Sequence, residues 1–271
     1  MHPILFRVGP YIAYSYTVAL ALGMIVGIWV TCHGARARLV DRTVILDGGF
    51  WVLLGGLVGA RMGYVLENWA YFAAHLREAV DLRGGGLSWH GAWLGGAVAA
   101  ALWYALRCRF RSRLPDWRVL LDIAAPGFAL GSAFGWAGCL LAGACYGAEA
   151  EGVRASLGWL TGHLPDIYGV EQVRFLTQPL MIGWALLLWG ILLLRPGALR
   201  CLPAGATFAV YLLLYALADG LVWFLRGDGT WRFGLWPAQW ISILQVCVAL
   251  GLAMCAKRSR IRGDPGIIRS A

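Results

Sequence analysis

The sequence predicts an all-α integral membrane protein of about seven transmembrane helices with a loop region on the outer face. Three observations predict it. Of 271 residues, 60% are hydrophobic and only 14% charged, against about 25% charged in soluble domains. Mean hydropathy is +0.66. Finally, the basic residues fall in clusters separated by long uncharged runs. These cover 8–35, 84–106, 123–148, 175–194, 201–218 and 233–256, with 48–66 interrupted only by Arg61.

A helix crosses the hydrocarbon with about 20 residues. The runs therefore read as spans at roughly 12–32, 49–66, 89–106, 119–141, 175–194, 204–225 and 237–256. The first is too long for the apolar region of a signal peptide and is preceded only by Arg7. Alternate loops carry Lys and Arg unequally. Loops 33–48, 107–118 and 195–203 with the C-terminal tail hold 15, the opposite set holds 7, and Arg61 lies within a span. The positive-inside rule puts the richer set in the cytoplasm, so the N-terminus faces out and the C-terminus in. Trp69, Trp89, Trp117, Trp231 and Trp236 fall near span ends, as an aromatic belt requires. The net charge of +9 thus reads as a membrane signal and not as a nucleic-acid footprint. No repeat or linker divides the chain, which reads as one transmembrane domain over 1–271.

Seven cysteines are scattered without CxxC spacing, which predicts no metal site, and no cofactor motif is present. Cys139 and Cys145 lie near the outer face. They fit two readings: a pair in an oxidising compartment, or small apolar fillers. Glycines recur every fourth position at Gly55, Gly59 and Gly63, at Gly91 and Gly95, at Gly131 and Gly135, and at Gly143 and Gly147. That spacing lets helix backbones approach closely in lipid.

Ionisable residues inside spans are costly and point to function. Arg61 lies about 12 residues, or roughly 18 Å, into an outward-running helix, and Asp219 reaches a similar level in another. They read as an ion pair or as part of a site. His90, in GGGLSWHGAWLGG, opens an inward-running helix at the outer edge, where an imidazole can move a proton. Tyr16 and the run GWAGCLLAGACYG (135–147) lie toward the same edge. Together these predict a cavity open to the outer leaflet. Asp122, near the cytoplasmic end, reads as structural.

The same residues carry a resemblance. HPILFRVGPYIAYSY, GGLVGARMGYVL, GGLSWHGAWLGG and LLDIAAPGFALG together resemble the prolipoprotein diacylglyceryl transferases of bacterial inner membranes. The resemblance puts that family's tyrosine at Tyr16, its Gly-Gly-Arg-x-Gly-Tyr element at Arg61, Gly63 and Tyr64, and its essential histidine at His90. It implies transfer of a diacylglyceryl group from phosphatidylglycerol to the thiol of a lipobox cysteine in a prolipoprotein, with glycerol phosphate leaving. Membrane lipid and the lipobox peptide are the implied partners. His90 and Tyr16 are then catalytic, and Arg61, Arg226, Gly135, Gly138 and Gly147 contact the phospholipid.

The chain departs from the family where that family carries charge. Its signature reads Gly-Arg-x-Gly-Asn-Phe-x-Asn-Gly-Glu and ends in Gly. Gly135, Gly138, Gly143 and Gly147 match it, but Trp136 replaces the arginine, Cys139 and Ala142 the asparagines, and Ala144 the glutamate. Farther on, Asp219 stands for an arginine and Trp223 for a glutamate, and Arg226 survives. The family's His-Pro-x-Gln-x-x-Glu element is reduced to LTQPLM, keeping Thr177 and Gln178. A leaving phosphate needs cations, so other functions compete. These are a non-catalytic lipid- or lipoprotein-binding membrane protein, a transferase for another acceptor or head group, and, from the cavity alone, a small-solute carrier.

Overall fold

The structure is a computed structural model of residues 1–271 and describes 4–9, 11–81, 86–110, 114–150, 155–165, 169–194, 202–227 and 237–261. Trp231, Trp236, Gly84, Gly85 and the basic residues Arg83, Arg111, Arg113, Arg154, Arg195, Arg200, Arg232, Arg262 and Arg269 lie outside the described residues.

A β-hairpin (β1, Ile4–Val8; β2, Tyr11–Tyr14) precedes the first helix, α1 (Ser15–Arg36). The sequence reading placed a span across part of it. The difference is a tight reversal at Gly9, whose φ of 58° suits glycine. Then follow α2 (Arg42–Glu67), the single turn α3 (Trp69–Phe72), α4 (Trp89–Phe110) and α5 (Trp117–Ala142). A second hairpin (β3, Thr161–Pro165; β4, Glu171–Phe175) leads to α6 (Thr177–Leu194), α7 (Ala206–Val222) and α8 (Pro237–Ile261).

Seven long helices thus stand where seven spans are expected. Among the described residues, six are long and apolar enough to cross a membrane, and α4 is not one of them. Its 22 residues suffice in length. Its composition lowers the hydropathy: His90 and two Trp at the start, three Gly, and Arg107 and Arg109 in the last turn. The chain is an all-α integral membrane protein, and among the described residues its only sheets are two short hairpins. Many large apolar side chains point outward along the spans, among them Trp29, Phe50, Met62, Leu102 and Leu221. This is the expected state where the surrounding medium is hydrocarbon.

The described chain divides into two compact units, one of Met1–Gly34 with Arg118–Ala271, the other Ala35–Trp117. In the second unit, α2 and α4 meet along a glycine seam. A methyl on Gly59 would stand 2.7 Å from the Gly95 Cα, and methyls on Gly91 and Gly95 would strike the carbonyls of Gly59 and Gly55. No larger residue fits there, so the fourfold spacing at 55–63 and 91–95 is a packing device. At the other end of the seam Asp47 accepts from the Trp103 indole N–H at 2.9 Å and pairs with Arg107.

In the first unit, α1 and α5 approach through Gly23, Gly27, Gly127 and Gly131; a methyl on Gly23 would lie 2.9 Å from the Gly131 carbonyl. Gly135 has open space where a side chain would point, so the spacing argument stops short of it. The core is formed by α5, α6, α7 and α8, with Ala125, Ala129, Met181, Leu188, Tyr211 and Leu212 at its centre.

One buried charge organises this unit. Asp122, 2% exposed, lies on α5 and accepts from the backbone N–H groups of Gly205 and Phe208, each at 2.9 Å. Those are orphan donors at the start of α7, whose positive dipole end faces the carboxylate. Asp122 therefore caps a neighbouring helix and is structural. Asp122→Ala should destabilise the folded protein by about 2 kcal/mol, since it strands buried donors. A lowered melting temperature in detergent checks this; an unchanged one would refute the capping role.

Candidate functional site

In the unit 35–117 the histidine is positioned by a capped helix and a clamped loop. Ser88 is buried and sits just before α4. Its Oγ accepts from the Gly91 N–H at 3.4 Å, which makes it the N-cap, and its O–H donates to Glu67 Oε1 at 2.6 Å. Its own N–H donates to the Ala60 carbonyl at 2.8 Å, tying the loop to α2. His90 is the second residue of that helix and is half-buried.

Arg61 is spent on the same loop. Its Nε donates to the Ala79 carbonyl at 2.7 Å, Nη1 to Gly86 at 3.0 Å and Nη2 to Glu78 at 2.5 Å. The guanidinium also lies 5.4 Å from the Phe72 ring centre and 5.7 Å from that of Tyr64. Gly86, at a φ of 77°, packs on the Tyr64 ring with no room for a side chain. Thus Arg61, Gly86, Ser88 and Glu67 hold the segment that delivers His90. Asp219 belongs to the other unit and there accepts from the Ser242 hydroxyl at 3.1 Å.

In the other unit the run 135–147 splits into a helix end and a turn. Gly138 faces Tyr16, half-buried near the start of α1; a methyl would lie 3.2 Å from the Tyr16 ring. Past Ala142 the chain reverses through Gly143 (φ 73°) and Cys145 (φ 59°), closed by the Ala144 N–H donating to the Cys139 carbonyl at 3.0 Å. The turn exposes carbonyls that α6 satisfies. The Thr177 hydroxyl donates to Cys145 O at 2.8 Å and the Gln178 amide to Ala144 O at 2.9 Å; both side chains are fully buried.

The chain then runs extended between two others. The Ala148 N–H donates to the Leu225 carbonyl and the Gly227 N–H to Tyr146 O on one side. On the other side the Phe175 N–H donates to Ala148 O and the Ala150 N–H to Val173 O. Gly147 thereby pairs antiparallel with Arg226, and Glu149 with Arg174. Gly147 has no room for a side chain beside the Phe175 backbone. The segment after α5 thus forms a small backbone-bonded platform.

Two of the positions without their expected charges are filled by aromatic contacts. Trp136 is buried and donates its indole N–H to the Tyr215 hydroxyl at 3.1 Å. The Arg226 guanidinium lies 3.8 Å from the Trp223 ring centre, a cation–π contact where the resemblance puts a carboxylate. Arg174 is a residue that sequence reasoning passed over as a loop cation. It is 4% exposed, stands 3.6 Å from Glu149 and lies over the Tyr146 ring. The only signal for it was its place three residues before Thr177. Among the described residues no three His, Cys, Asp or Glu side chains gather as metal ligands.

The structure thus joins Tyr16 to Gly138, Arg226 to Gly147, and Arg61 to the loop leading to His90. Gly135 stands apart with an open face.

Comparison with known proteins agrees with the sequence motifs. A family model described as prolipoprotein diacylglyceryl transferase matches residues 3–255. The phosphatidylglycerol–prolipoprotein diacylglyceryl transferase of Nostoc sp. is 30% identical, over 95% of this chain and 90% of its own. A protein of the same description from Dehalococcoides mccartyi is 29% identical over 97% and 96% of the two chains. One from Synechococcus elongatus is 32% identical over 99% and 92%.

The geometry makes a specific demand of Arg61. Three carbonyls are met by three different nitrogens, a fork that a lysine cannot reproduce. Arg61→Lys should therefore accelerate amide hydrogen exchange at 78–81 and 86–88 nearly as much as Arg61→Leu. Exchange mass spectrometry checks this, and a lysine variant with wild-type protection would sink the clamp.

Proposed function

From the premise that this chain belongs to the prolipoprotein diacylglyceryl transferase family, we propose that it transfers a diacylglyceryl group from phosphatidylglycerol to the cysteine thiol of a prolipoprotein lipobox. The chain is proposed as a single transmembrane domain over 1–271. It sits in the bacterial inner membrane with the N-terminus outside and the C-terminus in the cytoplasm.

The observation that carries this reading is the setting of His90: second residue of a helix capped by buried Ser88, on a loop clamped by Arg61. So much fixed structure around one half-buried imidazole favours a positioned base over a surface histidine. In the proposed step, His90 takes the thiol proton and the thiolate attacks the glyceryl carbon, since the thiolate is the competent nucleophile. A C–S bond forms as the C–O bond to phosphate breaks, and glycerol phosphate leaves with the electron pair. Tyr16 assists, and Arg226 meets the growing phosphate charge. Arg61 supports the site through the loop as well as by its charge. Gly135, with its open face, and Gly138 and Gly147 line the lipid's approach.

One observation favours a second reading. Trp136 fills the signature's arginine position with buried aromatic packing, which removes a cation from the site. A protein that binds phosphatidylglycerol or the lipobox peptide without transfer answers that loss.

Purified protein, phosphatidylglycerol and a lipobox peptide, followed by mass shift, separate the two. The wild type should form the thioether, His90→Ala should abolish it, and Arg226→Ala should lower the rate by about 100-fold, the scale for losing one transition-state donor. A folded wild type that binds lipid and transfers nothing would replace the enzyme reading with the binding one.

The orientation has its own check. A label at Leu160 and a tag after Ala271 should report opposite sides of the membrane in intact cells, with Leu160 outside. Both on one side would overturn the proposed topology.

A further inference from the structure

The Cys139 and Cys145 sulfurs stand 2.8 Å apart, across the turn that joins α5 to the extended segment. We propose that these two thiols are a disulfide-forming pair, a covalent modification site that locks the segment bearing Gly147 and, through it, Arg226. The setting in the cell rests on the outward orientation proposed above; the chemistry of the pair does not.

The turn is built so that the two side chains meet. The Ala144 N–H bonds back to the Cys139 carbonyl, Gly143 reverses the chain at φ 73°, and Cys145 follows at φ 59°. A non-glycine residue in that region costs about 1 kcal/mol. Thr177 and Gln178 hold it there by bonding the Cys145 and Ala144 carbonyls. Small apolar filler alone does not require sulfur at both ends of one strained turn. Both residues are half-buried, so a small oxidant reaches them while bulk water does not surround them. The other described cysteines, at 32, 108, 247 and 255, have no such partner contact with each other.

The reaction needs an oxidant, and an oxidising compartment supplies one as another disulfide. One thiol loses its proton and attacks that disulfide, giving a mixed disulfide and releasing one oxidant thiol. The second cysteine, as thiolate, attacks its partner's sulfur and expels the other oxidant thiol. Two cysteine thiols are oxidised by two electrons, and the oxidant is reduced to two thiols that take the two protons. The new bond ties residue 139 to 145, directly before the bonds from Tyr146 and Ala148 to 225–227. Closing it removes the freedom of the turn on which the Gly147–Arg226 pairing depends.

The test uses the full chain with its other five cysteines changed to serine. The purified, reduced protein is treated with oxidised glutathione and read by mass spectrometry. The expected product is lighter by two hydrogens, resists alkylation, and recovers both thiols on reduction. Cys139→Ser and Cys145→Ser should each instead stop at a glutathione adduct. Amide exchange over 143–150 and 222–227 should slow severalfold on oxidation. Glutathione adducts or alkylation at both sites in the folded two-cysteine protein would overturn the pair. Unchanged exchange in the oxidised protein would overturn the lock. In cells quenched with acid, the pair should resist alkylation until reduced. Alkylation there, with closure still seen in the purified protein, would overturn the outward orientation and leave the pair standing.

Discussion

Backbone that leaves a helix and is buried must still find a partner for each polar group. The segment 143–150 shows how that constraint orders the candidate site. Its first carbonyls go to Thr177 and Gln178 at the head of α6. Its later groups go to 225–227 on one side and 173–175 on the other. Two parts of the chain distant in sequence, 173–178 and 225–227, are thereby fixed around one stretch of eight residues. Gly147 is required because a side chain there would strike the Phe175 backbone. Arg226 is where it is because its backbone pairs with Gly147.

The same unit accounts for the missing charges without leaving holes. A buried arginine that loses its counterion is costly, and so is the counterion left behind. Here the substitutions go together. Trp136 and Tyr215 share a hydrogen bond in the core. Trp223 offers its ring face to Arg226 in place of a carboxylate. Asp219 accepts from Ser242. Aromatic and neutral contacts stand at Trp136, Trp223 and Asp219, beside the glycines that shape the backbone.

In the other unit the glycine seam and the arginine clamp serve one end. Close packing of α2 on α4 brings Ala60 within reach of the Ser88 N–H, and the cap on α4 follows. Arg61 was expected, from its depth, to meet Asp219 or phosphate. Its three bonds to carbonyls of 78–86 make it the support of a loop. Beyond the spans, Asp41 performs a smaller version of the same task at the start of α2. It accepts from the Thr43 N–H at 2.9 Å, a bond that holds its carboxyl below the usual range.

Much of this was legible in the residue order. Span positions follow from uncharged runs near 20 residues, because each apolar stretch must satisfy hydrocarbon locally. The seam follows from Gly55, Gly59, Gly91 and Gly95, and the candidate histidine from its glycine-rich surroundings. These are properties of neighbours in sequence, at spacings of three or four. Tertiary structure alone decided the rest, because the partners are far apart along the chain. Nothing near Asp122 announces that it caps a helix more than 80 residues later. Nothing around Arg174 or Gln178 announces that one is buried beside Glu149 and the other bonded to Ala144. The hairpin 4–14 and the reversal after Ala142 depend on positive φ at Gly9, Gly143 and Cys145, which composition permits but does not compel. Hydropathy is a sum over a window and survives any folding; a hydrogen bond depends on where a distant atom comes to rest.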